Sequence, residues 1–309
     1  GGGLTPGSAL FRWPATSSSA LAGRRVMAEN SGSRISVVVP TCDHVALLRD
    51  CLRSLVGQTR PALEIIVVDN GSTDATAAIV REEFPQVRLV TEPRPGVDLA
   101  RNRGLAEARG DVVAFTDDDC LAPRGWLEAL GDCFSDISVA CAGGPTRPVW
   151  PLPPSQALLA SRRALFCLGA VDFGPARKRL DPEQEFLIGA NMAVRKSLVA
   201  RDFCGPQSYS PLGVCGDDYE LSRRLAREHG ALYEPRAYVH HRMFPPKMAW
   251  PRLLIRIFYF AAGRARLGGR LKPKRGPAEL LGWEGAVSAA DALGHLYGRL
   301  AESRKLRIR

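Results

Sequence analysis

The sequence predicts an α/β fold with a mostly parallel central sheet flanked by helices, and a helical appendage at the C-terminal end. Three observations predict it. Short β-branched runs alternate with stretches of helical periodicity through residues 34–115, and runs of both kinds return after residue 185. The length, 309 residues with 45% apolar and 24% charged side chains, suits one large α/β domain with a modest appendage.

The elements follow in order. Residues 35–39 form a β-branched run closed by Pro40, and residues 43–56 then place Val45, Leu48, Leu52 and Leu55 at helical spacing. Residues 65–68 read as a second buried strand, followed by the turn string Asn70-Gly71-Ser72 and a helical stretch over 73–83. Residues 87–90 and 97–108 repeat the alternation, and residues 112–115 supply a fourth strand. A sheet built this way is covered on both faces and binds ligands at the carboxyl ends of its strands. Pro145, Pro148, Pro151, Pro153 and Pro154 break regular structure, so residues 143–185 are expected to be irregular, as a lid or mobile loop. Regular structure resumes over 186–194, continues in a helix over 217–228, and ends in strand-like pieces at 231–233 and 237–240.

Residues 1–33 are rich in Gly, Ser and Ala and show neither period, so a disordered arm is expected, with Met27 as a natural start. The chain divides into this arm, a domain over 34–244 with halves at 34–142 and 143–244, and a basic helical region over 245–309. The net charge is +10, and it is unevenly placed: residues 245–309 hold 14 basic and 4 acidic side chains, while the rest is balanced. A neutral body with a basic end suggests docking to anionic lipid or an acidic partner, or simply a solvated basic end, and argues against a nucleic-acid enzyme. Residues 249–262 fit either an amphipathic helix against the body or the membrane interface, with basic residues of 264–275 on anionic lipid headgroups, or an ordinary helix closing the acceptor side.

The eight cysteines show no C-x-x-C spacing and read as reduced thiols. No segment near the N-terminus has the basic flank, apolar run and cleavage site of an export signal, and the longest late apolar run is interrupted by Arg256. The expected location is cytoplasmic, with peripheral attachment to the cytoplasmic face of a membrane as its variant. Neither G-x-G-x-x-G nor G-x-x-x-x-G-K stands between a strand and a helix, which disfavours a dinucleotide dehydrogenase and a P-loop hydrolase.

Four clusters carry candidate chemistry. Asp117, Asp118 and Asp119 follow directly on a strand, where three adjacent acids either lie in solvent or face a hard divalent cation. Asp69 ends the second strand, either as turn chemistry or as an acceptor for a base or ribose hydrogen bond. Asp217, Asp218 and Glu220 open a helix, where acids complement the dipole or one serves as general base to an incoming hydroxyl. His240 and His241 adjoin in a strand, so only one of them faces a given site.

Six strings in register resemble the family 2 glycosyltransferases, inverting enzymes with the A-type nucleotide-diphospho-sugar transferase fold. They are Val37-Val38-Val39-Pro40-Thr41; Val67-Val68-Asp69-Asn70-Gly71-Ser72-Thr73-Asp74; Ala100-Arg101-Asn102-Arg103-Gly104; Phe115-Thr116-Asp117-Asp118-Asp119, with Pro123 and Trp126-Leu127 behind it; Gly189-Ala190-Asn191-Met192-Ala193; and the string from Gly216 to Leu221. The match runs over residues 35–241. The resemblance implies that Pro40, Thr41, Asp43 and Asp69 line the nucleotide pocket and that Arg101 lies near the diphosphate. It makes Asp117 and Asp119 the D-x-D pair that holds Mn²⁺ or Mg²⁺, with Asp118 a further candidate and His240 or His241 the family's late histidine. Asp218 becomes the general base, Asp217 and Glu220 position substrate or helix, and Asn191 and Met192 lie beneath the sugar or acceptor. Asn70 stands where a second Asp is common, and Asp217 where Glu is.

The implied reaction moves a sugar from a nucleotide-diphospho-sugar, UDP or dTDP favoured, to a hydroxyl of a cell-envelope glycan, lipid-linked saccharide or other glycoconjugate. The competing readings are a sugar-phosphate nucleotidyltransferase, which would need a Gly-rich basic loop where Pro40-Thr41-Cys42-Asp43 stands, and a non-catalytic nucleotide- or carbohydrate-binding protein of the same fold.

Overall fold

A computed structural model describes residues 33–199, 217–266, 289, 290, 292 and 293. Strands β1 (Ile35–Thr41), β2 (Glu64–Asp69), β3 (Arg88–Thr91) and β4 (Val112–Thr116) alternate with helices α1 (Val45–Val56), α2 (Thr76–Glu83) and α3 (Val97–Glu107). Then come β5 (Cys120–Leu121), α4 (Trp126–Cys133), β6 (Cys141–Gly143), β7 (Thr146–Val149), α5 (Gln156–Ala160), α6 (Arg162–Cys167), β8 (Lys178–Arg179) and β9 (Asn191–Arg195). Beyond residue 216 stand α7 (Asp217–Glu228), β10 (Ala231–Tyr233), β11 (Val239–Arg242), α8 (Pro245–Met248) and α9 (Trp250–Arg266).

The main sheet has the order β3-β2-β1-β4-β9-β6-β10-β8. Its first four strands are parallel; β9 runs against β4 and β6, and β8 against β10. Period-two alternation distributes β1 between two cores. Val37 and Val39 pack with Leu48, Leu52 and Leu55 of α1 and with Trp126 and Leu127 of α4. Val38 packs on the other face with Ala100 and Leu105 of α3 and Leu221 and Leu225 of α7. Gly104 brings α3 hard against β1, since a Cβ there would stand 2.2 Å from Val38 Cγ1.

A second sheet has the order β5-β11-β7. It corrects the expectation for residues 143–185, which hold β7, β8, α5 and α6. Pro148 lies within β7, an edge strand bonded to β11 alone in this sheet, where a missing N–H breaks no ladder. The short helices had a local signal in Ser155 and Ser161, whose hydroxyls accept from the Leu158 and Ala164 amides as N-caps.

The helix expected over residues 249–262 is α9, and it packs against the body. Leu253 and Ile257 of α9 are buried with Leu158, Leu165 and Leu168, and Arg256 Nε donates to the Cys167 carbonyl at the end of α6 (3.0 Å). Among the described residues no helix is long and apolar enough to cross a membrane. Of the arm expected over 1–33, residues 1–32 lie outside the described residues, as do the basic side chains of 264–275.

Candidate active site

Parallel pairing aligns the strand ends. Thr41, the last residue of β1, stands opposite Asp69, the last of β2, and the 117–119 turn follows β4 on the other side of β1. Pro40 is buried in β1 past the end of the β4 ladder, which stops at Val38↔Phe115.

The turn closes through the Cys120 amide on the Asp117 carbonyl (3.0 Å), and it sends three adjacent carboxylates to three different partners. Asp117 Oδ1 accepts from Arg101 Nη2 at 2.6 Å. Asp118 Oδ2 accepts from the Thr41 hydroxyl at 2.7 Å, with His44 Nδ1 at 3.2 Å. Asp119 Oδ1 lies 3.2 Å from His241 Nε2. Burial pushes the Asp118 carboxyl up, against the opposing bonds from His44 and Thr41.

The loops after β1 and β2 staple each other. Asp43 adopts φ 56°, and its Oδ1 accepts from the Thr73 amide and hydroxyl and the Asp74 amide; the Thr73 bonds pull its carboxyl below the usual range. Asp74 accepts from the first amides of both α1 and α2, at Val45 and Thr76. Asp69 is buried and accepts from the Ser72 amide (2.8 Å). Asn70 donates to the Glu92 and Arg94 carbonyls, both at 2.7 Å, and accepts from the Gly96 amide at 2.8 Å. The amide that replaces a common Asp is thus what holds the loop before α3.

At the opposite wall, Asp218 in the first turn of α7 accepts from the Gly189 amide (3.1 Å) and the Tyr219 amide (2.8 Å). Burial pushes its carboxyl up, opposed by the attraction of Arg101. Arg101 is buried, and besides Asp117 it pairs with Asp98 at 3.5 Å. Glu220 accepts from Arg224 Nε one turn on (3.0 Å), and the side chain of Asp217 lies outside the described set.

Asn191 and Met192 are buried in β9. Asn191 Oδ1 accepts from Trp126 Nε1 (2.9 Å), and its Nδ2 donates to the Pro145 (3.0 Å) and Ala237 (2.7 Å) carbonyls. Met192 is fully buried in the core. Both therefore support the floor of the site from within. The strand alternation separates the histidines: His241 is buried toward Asp119, while His240 packs edge-on against Tyr238, opposite Arg147. Sequence reasoning missed Asp98, Gly189, Cys120, His44 and the Trp126 anchor. Of these, Gly189 and Trp126 had a signal, since both stand in the strings that carry the family resemblance.

The family resemblance implies a divalent ion, and the side chains fit one. A carboxylate oxygen and an imidazole nitrogen 3.2 Å apart match two adjacent ligands on one ion, which stand about 3 Å apart for bonds of about 2.1 Å. The Cys120 sulfur belongs to the same group of donors. Its thiol, however, is pushed well up by burial and the charges of Asp119 and Asp117, which leaves the hard oxygen and nitrogen donors for the ion.

Comparison with known proteins agrees with this geometry. The pre-mycofactocin glycosyltransferase of Mycobacterium tuberculosis is 29% identical over 277 residues, covering 86% of this chain and 54% of that protein. The uncharacterized glycosyltransferase YibD of Escherichia coli K12 is 42% identical over 93 residues, covering 29% of this chain and 27% of that protein. The chain thus spans about half or less of the curated relatives it matches here. Among solved structures, the mannosyltransferase PcManGT from Pyrobaculum calidifontis, in complex with GDP-Man and Mn²⁺, superposes with a TM-score of 0.55 at 23% identity, covering 90% of this chain and 79% of that one. Glucosyl-3-phosphoglycerate synthase from Mycobacterium tuberculosis, with Mn²⁺, UDP and glucosyl-3-phosphoglycerate, gives 0.52 at 19% identity, covering 78% of this chain and 82% of that one. The sequence profile of Glycosyl transferase family 2 matches residues 36–201, more than half of the chain. With that match on a mostly parallel sheet whose strand ends carry the site, the chain belongs to glycosyl transferase family 2 and has the GT-A fold.

Proposed function

We propose that the chain is an inverting glycosyltransferase. It moves a sugar from a nucleotide-diphospho-sugar to a hydroxyl acceptor, with a divalent ion held by Asp119 and His241 and with Asp218 as general base. One observation carries the reading: buried Arg101 pairs with Asp117 of the metal-side turn and attracts Asp218, so both clusters belong to one site. Asp118 and Thr41 support the donor side by fixing each other, and Asp69 stands at the strand end where a base or ribose would be recognised.

Asp218 suits a base. Two backbone amides fix the orientation of its carboxylate, and a carboxylate has about four acceptor positions, so lone pairs remain for an acceptor hydroxyl. Burial raises its basicity. When bound, the ion supplies charge neutralisation to the departing nucleoside diphosphate. A single displacement with Asp218 taking the acceptor proton inverts the anomeric carbon.

UDP- and dTDP-sugars are the favoured donors, and the GDP-Man and UDP in the solved relatives make both bases worth testing. A cell-envelope glycan or lipid-linked saccharide is the favoured acceptor. The basic surplus of residues 245–309 would bring the enzyme to an anionic membrane face. A thermal-shift panel of UDP, GDP, dTDP and CMP with Mn²⁺, Mg²⁺ or chelator tests the reading. A nucleotide at a hundred times its Kd stabilises the fold by about 2.7 kcal/mol. The expected result is a metal-dependent shift with one nucleoside diphosphate that His241→Ala abolishes; no shift with any nucleotide refutes the assignment.

A further inference from the structure

The resemblance puts Arg101 beside the donor's diphosphate, but its surroundings point elsewhere. Only 7% of the side chain is exposed. Asp117 stands at 2.6 Å and Asp98 at 3.5 Å. Burial works against its charge, and the attraction of Asp117, Asp98 and Asp218 more than restores it. The guanidinium also lies against Gly189, where a Cβ would come within 2.4 Å of Cζ. The amide of that same glycine donates to Asp218. One residue without a side chain therefore separates the guanidinium from the general base.

A diphosphate ligand has to present its donors to the cleft. Arg101 instead turns Nη2 to the partly exposed Asp117 in a short charge-assisted hydrogen bond and Nη1 to the buried Asp98. Without it, the carboxylates of Asp98, Asp117 and Asp218 would face one another with no cation between them and push the Asp117 turn away from the Gly189–Asp218 wall. We propose that Arg101 is a positioning residue, a buried counter-ion that locks the Asp117 turn to the Gly189–Asp218 wall and does not bind the donor's diphosphate. This rests on the transferase reading above. Lysine is a poor substitute, because a point charge cannot serve two carboxylates as a planar fork does.

The test uses Arg101→Lys, Gly189→Ala and Asp98→Asn in the full chain, with circular dichroism to check folding. Affinity for UDP and GDP with Mn²⁺ is measured by calorimetry, and release of nucleoside diphosphate from UDP-glucose and GDP-mannose gives kcat and KM against pH. Arg101→Lys and Gly189→Ala are expected to lower kcat on the order of 100-fold, as misplaced catalytic groups do. Nucleotide affinity and donor KM should stay within about threefold of wild type, the signature of an interaction that serves the transition state and not the ground state. The groups acting on Asp218 are Arg101 and Asp98 from α3 and the amides of Gly189 and Tyr219. The acid limb of kcat should accordingly move up in pH in Arg101→Lys and down in Asp98→Asn, opposite shifts that general loosening of the fold would not produce.

An Arg101→Lys enzyme with kcat near wild type and nucleotide affinity weakened by about tenfold or more would make Arg101 a diphosphate ligand and overturn the inference. Should Arg101→Lys fail to fold, unchanged kcat in both Gly189→Ala and Asp98→Asn would overturn it equally. Wild-type protein that binds neither nucleotide overturns the transferase reading itself, and this inference with it.

Discussion

Replacing Asn191 by leucine separates two roles that the sequence motif alone leaves together. The side chain is 1% exposed and makes three hydrogen bonds, to Trp126 Nε1 and to the carbonyls of Pro145 and Ala237. Leucine has nearly the same shape, so little cavity results and the cost falls on the partners. Pro145's carbonyl keeps its bond from the Val239 amide (2.9 Å), whereas Trp126 Nε1 and the Ala237 carbonyl lose Asn191. Two buried groups at about 1–3 kcal/mol each give a loss of about 4 kcal/mol. That is a large part of a total stability of about 5–15 kcal/mol. At about 2–4 °C per kcal/mol for a domain of this size, Tm falls by about 10 °C. Residues 145 and 237 lead into β7 and β11, so the position of His241 loosens too and Mn²⁺-dependent nucleotide binding weakens in parallel. Thermal unfolding followed by circular dichroism, with and without UDP or GDP and Mn²⁺, measures both. A variant that melts within about 2 °C of wild type but has lost turnover would refute the argument and return Asn191 to the substrate.

Asp218→Asn should keep metal-dependent nucleotide binding while turnover falls by about 100-fold to 10,000-fold, the range for a lost general base. Because burial raises the Asp218 pKa and the base acts ionised, wild-type kcat should decline on acidification from a pH above the ordinary carboxylate value of 3.8. Asn70→Asp would aim a carboxylate at two carbonyls 2.7 Å away, and chemical denaturation should show a loss of about 2 kcal/mol. Gly104→Ala forces a methyl against Val38 and should cost about 1–3 kcal/mol. Adding Val38→Ala should recover part of that loss, and a double-mutant cycle with no coupling would refute the close packing of α3 on β1.

Much of the fold was legible because the first half obeys the two periods. Residues 97–108 were read as repeating the alternation and form α3 over Val97–Glu107, and β10 has the expected limits. The small second sheet was not legible. Its strand β5 is two residues long, and β7 contains a proline that only an edge position tolerates. The site was less legible where side-chain direction mattered. Alternation tells which face a side chain takes only when one face is wet, and β9 is buried at Asn191, Met192, Ala193 and Val194 alike, so nothing local said that Asn191 turns inward to Trp126. The same limit applied to the histidines: the pattern required one to face the site, and the pairing of His241 with Cys120 in β5 decided which. Arg101 shows the limit most clearly. The family resemblance implies a phosphate contact for the Arg101 cation, and sequence shows its charge but not the carboxylates of Asp98, Asp117 and Asp218 that gather round it from two elements and a strand-end turn. Composition supplied the chemical kinds of the site; which charges cancel one another inside the protein, and which remain for a ligand, is a property of tertiary contact.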